Sequence, residues 1–187
     1  MASVASTRAT LDDLYRVEGK AELVGGRIVH FMASGELPSA VAFEIAVSLR
    51  AYAKASGQGT AFPDGIGYAV PELPSGRESF SPDASYHVGP PAANRMRFIE
   101  GAPIFAAEVR SENDYGEAAE EEMAAKRADY FAAGTLVVWD VDPLAETVAV
   151  YRADAPTQAV IHRRGDIAEA EPAVPGWRQT VAELFAR

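Results

Sequence analysis

The sequence predicts an α/β fold, a mixed β-sheet flanked by helices, and three observations lead there. Short β-rich runs alternate along the chain with segments of helical period or helix-forming composition. Hydrophobic residues make up 48% of the 187, which suits one ordinary globular core. No repeat, low-complexity run or linker divides them, so a single domain over residues 1–187 is expected. Helices laid on a sheet hide the apolar face of each.

Thr10 with Asp13 three residues later is a variant capping box and predicts a short first helix. Glu22-Leu23-Val24 and Arg27 to Phe31 flank Gly25-Gly26, the pattern of a tight hairpin. From Pro38 to Ser56, Val41, Ile45, Leu49 and Tyr52 recur at helical spacing until Gly57 ends the pattern. Prolines and glycines break Thr60 to Ser81 into two short strands and a loop. Phe80 to Val88 and Pro103 to Arg110 read as strands. Tyr115 to Ala133 is rich in Ala, Glu, Met and Lys, with Gly134 placed to close a long helix and Asp114 or Asn113 to cap its start. Strands are then expected over Leu136 to Asp140, Thr147 to Arg152 and Ala159 to His162, and a last helix over about Gln179 to Phe185.

The formal net charge of −10 argues against tight sequence-blind binding of nucleic acid, which depends on Lys and Arg replacing phosphate counterions. Arg95, Arg97, Arg110, Lys126 and Arg127 nevertheless leave room for a local positive patch. With no cysteine, any metal must be held by oxygen or imidazole. The opening MASVASTRAT lacks the apolar core of a secretory signal and no stretch is long enough to span a bilayer, so a cytoplasmic protein without membrane contact is expected.

Strand periodicity puts Asp83 on the polar face with Ser81, Ser85 and His87. Glu108 ends an otherwise apolar run, Ile104 to Ala107, and a carboxylate there needs a partner. Two carboxylates on neighbouring strand ends can ligate Mg²⁺, which typically takes one or two carboxylates plus waters and substrate phosphate. Such an ion polarises a phosphoryl oxygen and lowers the pKa of bound water, and Lys126 or Arg110 would steady the extra negative charge. Equally, Asp83 fits a turn residue, Glu108 a structural partner of Arg110 or Arg127, and Lys126 an exposed ion pair with Glu122.

Glu22 to Val29, Ser81-Pro82-Asp83, Phe105 to Ser111, and Lys126 through Tyr130 to Gly134 and on to Val138-Trp139-Asp140-Val141-Asp142-Pro143, together with Pro175-Gly176-Trp177, form an ordered set. In it the chain, from about Leu11 to Phe185, resembles the Uma-two family of restriction endonucleases within the PD-(D/E)xK nuclease superfamily. The resemblance implies a restriction-endonuclease-like fold with an N-terminal helix and hairpin. It also implies Mg²⁺-dependent cleavage of phosphodiesters, with Mn²⁺ as a substitute, nucleic acid (DNA above RNA) as partner, and a homodimer. Asp83 and Glu108 match the metal-binding acids, and the carbonyl of Val109 matches the backbone ligand. Arg110 stands where the superfamily has lysine, so either it takes that role or Lys126 on the next helix does, and the family likeness favours Lys126. Glu44 answers only weakly to the superfamily's helix acid, and Glu22 suits a supporting role. The rival reading is a catalytically silent nucleic-acid or protein-binding module on the same fold; a third is a hydrolase of small phosphate esters.

His30, His87 and His162 lack zinc-site spacing, and only His87 shares a face with Asp83. Trp139 and Trp177 read as core aromatics, and the glycines make neither nucleotide-binding loop.

Overall fold

A computed structural model describes residues 8–186. Helix α1 (Leu11–Leu14) starts at Thr10, whose hydroxyl accepts from the Asp13 amide while the Asp13 carboxylate accepts from the Thr10 amide. Strands β1 (Ala21–Val24) and β2 (Arg27–His30) form the expected hairpin, and Gly25 and Gly26 supply the positive φ, 59° and 69°, that its two-residue turn requires. Helix α2 (Glu36–Ser56) buries Val41, Ala42, Ile45, Ala46 and Leu49, and ends at Gly57 in the left-handed conformation.

The main sheet has six strands in the order β11-β10-β9-β8-β6-β3. These are β3 (Thr60–Pro63), β6 (Ala84–His87), β8 (Phe105–Val109), β9 (Val137–Asp142), β10 (Thr147–Arg152) and β11 (Ala155–Arg163). Within this sheet, among the described residues, only β8 and β9 pair in parallel, and helix α3 (Glu117–Ala132) provides the crossover that a parallel pair needs. Three short strands, β4 (Tyr68–Ala69), β5 (Ser79–Phe80) and β7 (Ile99–Glu100), form a small second sheet. Strands β12 (Ile167–Glu169) and β13 (Arg178–Thr180) pair before helix α4 (Val181–Leu184).

The pleat sorts the core into two layers. Odd residues of β8 and β9 (Phe105, Ala107, Trp139, Val141) face α2 and α4, where Trp139 and Trp177 stack at 4.8 Å. Even residues (Ala106, Val138) face Tyr68, Phe80 and Tyr130. Both tryptophans are core residues, as read from the sequence, and each indole N–H finds an acceptor, Glu169 O for Trp139 and Ser48 Oγ for Trp177.

The elements depart from expectation in three places. Pro82 splits the run from Phe80, giving β5 and β6 in different sheets. Helix α3 starts at Gly116 with no side-chain cap, because Asp114 Oδ2 instead accepts from the amide and hydroxyl of Ser111, both at 2.7 Å. The two- and three-residue strands β7, β12 and β13 carry no readable alternation, and β13 takes Gln179 and Thr180 from the start of the expected last helix, because they pair with β12. Among the described residues, no helix is long and apolar enough to cross a membrane.

Candidate active site

Strand pairing assembles a row of carboxylates. Because β6 runs antiparallel to β8 with Ala84 opposite Ala107, and the Asp83 amide donates to Ala107 O at 3.1 Å, the next pair sets Asp83 against Glu108. The parallel partner of Glu108 on β9 is Asp140. One residue past the last pair of β3 and β6, Pro63 with Ala84, comes Asp64. Asp64, Asp83, Glu108 and Asp140 therefore cross four strands in one line, on the face that carries α3.

Each acid meets a cation. Lys20, just before β1, reaches Asp64 Oδ1 at 2.7 Å and Asp83 Oδ1 at 2.6 Å. Lys126 of α3 reaches Glu108 Oε1 at 2.9 Å and Glu22 Oε1 at 3.0 Å. Arg110 Nε is 2.8 Å from Asp140 Oδ1, and Arg127 is 2.9 Å from Asp140 Oδ2. Behind Lys126 lies a second buried shell: Glu22 also takes Arg77 and the Ser81 amide at 2.8 Å, and Arg77 Nε holds Asp129 at 2.8 Å.

These contacts set the protonation states. Burial pushes the Glu22 carboxyl up, but Lys126, Arg77 and the Ser81 amide outweigh it and hold the group below the usual carboxylate value. Glu108 goes the other way. Burial raises it, Lys126 offsets this only in part, and the charges of Asp83 and Glu22 add to the rise. Burial pulls Lys126 down, yet Glu108 and Glu22 together lift it above the usual ammonium value, so Lys126 stays protonated. The Tyr130 hydroxyl, also raised by burial, donates to Glu108 Oε1 at 2.6 Å. The ion pair with Lys126 and the hydrogen bond from Tyr130 both meet Glu108 at Oε1, and among the described residues no hydrogen bond is made to Oε2.

Asp83, Glu108 and Lys126 thus converge. The Val109 amide donates to Asp83 Oδ2 at 2.8 Å, and Val109 lines, with Asp83, Asp64, Pro63, Ala42 and Phe43, a cleft of about 150 Å³ at the end of the sheet. Arg110, the alternative cation, does not join them. It shares a face with Glu108 but is drawn by buried Asp140, gripped through two nitrogens, and by Glu120 of α3. Lys126 is not paired with Glu122. Glu44 is exposed on α2 and makes no contact at the site. His87 faces Tyr68 with both ring nitrogens unpartnered, and among the described residues no three His, Cys, Asp or Glu gather as a metal cluster.

Sequence reasoning missed Lys20, which lies 63 residues from Asp83 with no spacing to connect them. Glu22, expected in a supporting role, lies behind Lys126 with Arg77. An acid inside the apolar strand Ala21-Glu22-Leu23-Val24 is the same signal that marked Glu108, and Glu22 is 1% exposed.

Two comparisons with known proteins bear on this arrangement. A crystal structure described as a putative nuclease belonging to DUF820 from Anabaena variabilis superposes with a TM-score of 0.75, at 19% identity over 94% of this chain and 97% of that one. At that identity the likeness establishes the fold, which is restriction-endonuclease-like as expected. No curated protein matches in sequence. The family model Uma2 (Uma-two), described as "Putative restriction endonuclease", matches residues 9–182, nearly the whole chain, and the chain therefore belongs to this nuclease family.

Proposed function

We propose that the chain is a metal-dependent endonuclease that hydrolyses phosphodiester bonds in DNA, with Asp83 and Glu108 as its metal-binding acids and Lys126 as its catalytic cation. The observation that carries the reading is the opposed pair Asp83 and Glu108 on adjacent strands, with a buried ammonium held on Glu108. The residues fit Mg²⁺ or Mn²⁺ by type: two hard carboxylates, the main-chain oxygen of Val109, and the remaining positions left to water and phosphate. The charge of Asp83 beside Glu108, which helps push the Glu108 carboxyl up, marks a place where a cation would relieve repulsion.

A bound divalent ion supplies Lewis acidity and a more acidic water. The chain's own residues supply orientation and charge. Lys126 Nζ, held protonated by Glu108 and Glu22, donates toward the phosphoryl group or the attacking water and takes no proton from either. Tyr130 and Lys126 together fix Glu108 Oε1, which leaves the second oxygen to a ligand. Arg77 and Asp129 hold Glu22, and through it Lys126, in place. A cytoplasmic homodimer would set two such sites on opposite strands.

One observation favours the silent binding module instead: both acids already carry a lysine. Calorimetric titration of Mg²⁺ and Mn²⁺ into the wild type and an Asp83→Ala/Glu108→Ala variant, with plasmid nicking on the same samples, separates the two. The nuclease requires binding and nicking that disappear together; no metal binding at millimolar ion leaves the module.

A further inference from the structure

We infer that the exposed aromatic residues beside the acid pair, Phe31 above all, form a stacking platform for an unpaired nucleobase, so that the preferred substrate is single-stranded or locally unpaired nucleic acid. The inference rests on the nuclease reading and specifies its substrate.

Phe31 leaves β2 with its amide donating to Lys20 O at 2.9 Å, which pins the residue beside the site lysine. Its ring centre lies 5.8 Å from Lys20 Nζ and 5.4 Å from Lys126 Nζ, the two ammonium groups that hold Asp83 and Glu108. Phe31 is nevertheless 38% exposed, and Met32 next to it is 88% exposed. Phe43, 62% exposed on α2, lines the cleft that contains Asp83. Apolar side chains are thus held at the mouth of a charged site where burial does not explain them.

The charges around them narrow the ligand. Lys20, Lys126, Arg110 and Arg127 are all spent on the protein's own carboxylates, and the chain carries a net charge of −10. The cations along the acid row are therefore not free to replace counterions on a duplex backbone. In a duplex, moreover, the faces of the bases are hidden in the stack. An aromatic face next to the acids gains most from a base that is already unstacked, and every base offers a π-face.

The test is fluorescence anisotropy with three 12-nucleotide probes: a single strand, the same backbone with abasic sites, and the duplex, in Ca²⁺ with probe integrity checked on gels. The wild type should prefer the intact single strand, with a shallow salt dependence. Phe31→Ala should weaken that binding roughly 5- to 150-fold, and Phe31→Trp should restore it. Equal affinity for intact and abasic strands, no binding to any probe, or an unchanged Phe31→Ala overturns the inference. So does a change of oligomeric state in Phe31→Ala by sedimentation, which would assign the patch to contact between copies. Duplex plasmid nicking is read in parallel. If it persists while base dependence is absent, this inference alone fails; if Mg²⁺-dependent nicking is absent as well, the nuclease reading fails with it.

Discussion

Replacing Lys126 by Met keeps most of the side-chain stem and removes only the ammonium. Two carboxylates then lose their shared partner: Glu22, whose side chain is 2% exposed, and Glu108, at 21%. Breaking a buried pair by deleting one member typically costs about 3–5 kcal/mol. Glu22 keeps Arg77 and the Ser81 amide, and Glu108 keeps Tyr130, which places the loss at the lower end, about 3 kcal/mol. For a chain of this length that corresponds to a fall in Tm of about 6–12 °C, readable by calorimetry or a urea melt. On the nuclease reading, nicking falls further than folding alone explains, by about 10²–10³ at a temperature where both proteins are folded. A Lys126→Met protein that melts within 2 °C of wild type refutes the buried-network argument. One that melts lower but nicks at the wild-type rate refutes the catalytic role.

Three further outcomes follow from the same contacts. Glu22 has a folded-state pKa below its ordinary value of 4.5, so it contributes stability above about pH 4.5 that is lost as pH falls through the depressed value. Glu22→Gln should be less stable at pH 7 and lose less on acidification, as equilibrium melts from pH 7 to 3 would show. Arg110→Met leaves Asp140 with Arg127 alone, for a loss of about 1–3 kcal/mol, while calorimetric Mg²⁺ affinity stays at the wild-type value; a lost metal site would return Arg110 to the chemistry. Trp139→Ala removes the stack with Trp177 and the edge-to-face contact with Phe105 and should cost about 3–5 kcal/mol in urea unfolding.

Much of this architecture was legible because local rules and tertiary packing agree. The Gly25-Gly26 turn, the Val41, Ile45 and Leu49 stripe and the apolar runs of β8 and β9 each specify their element without outside help. The short strands were not legible, since two or three residues such as Ile99–Glu100 hold no period and owe their pairing to the parallel partner Tyr68–Ala69. At the site, Glu108 could be found because a carboxylate that ends an apolar run demands an explanation, and Asp83 because it falls on the polar face of the neighbouring expected strand. The partners of those acids could not be. Whether Lys126 faced Glu122 or the sheet turned on which side of its flank position was solvated. Lys20 joined the site only when the chain brought the segment before β1 against the end of β3.

The row of acids also explains why the arginine at position 110 is not equivalent to a lysine there. Asp140, at the inner end of the row, is 3% exposed and is gripped by Arg110 through two nitrogens and by Arg127 through a third. A planar guanidinium that meets both carboxylate oxygens makes a rigid, saturated pair, and this end of the row is closed. Asp64, Asp83 and Glu108 meet lysines instead, each ammonium a point charge on a flexible stem shared between two acids. A point charge leaves carboxylate lone pairs free and can shift as a ligand arrives, whereas the fork cannot without stranding a buried charge. The chemistry of the two cations therefore divides one line of four carboxylates into a structural end under α3 and a responsive end at the cleft. An arginine on the strand together with a lysine on the helix is what such a division requires. Exchanging them, as Arg110→Lys with Lys126→Arg, should loosen the closed end and lock the open one, lowering both Tm and Mg²⁺ affinity; a double exchange that binds Mg²⁺ as tightly as wild type would remove the basis for the division.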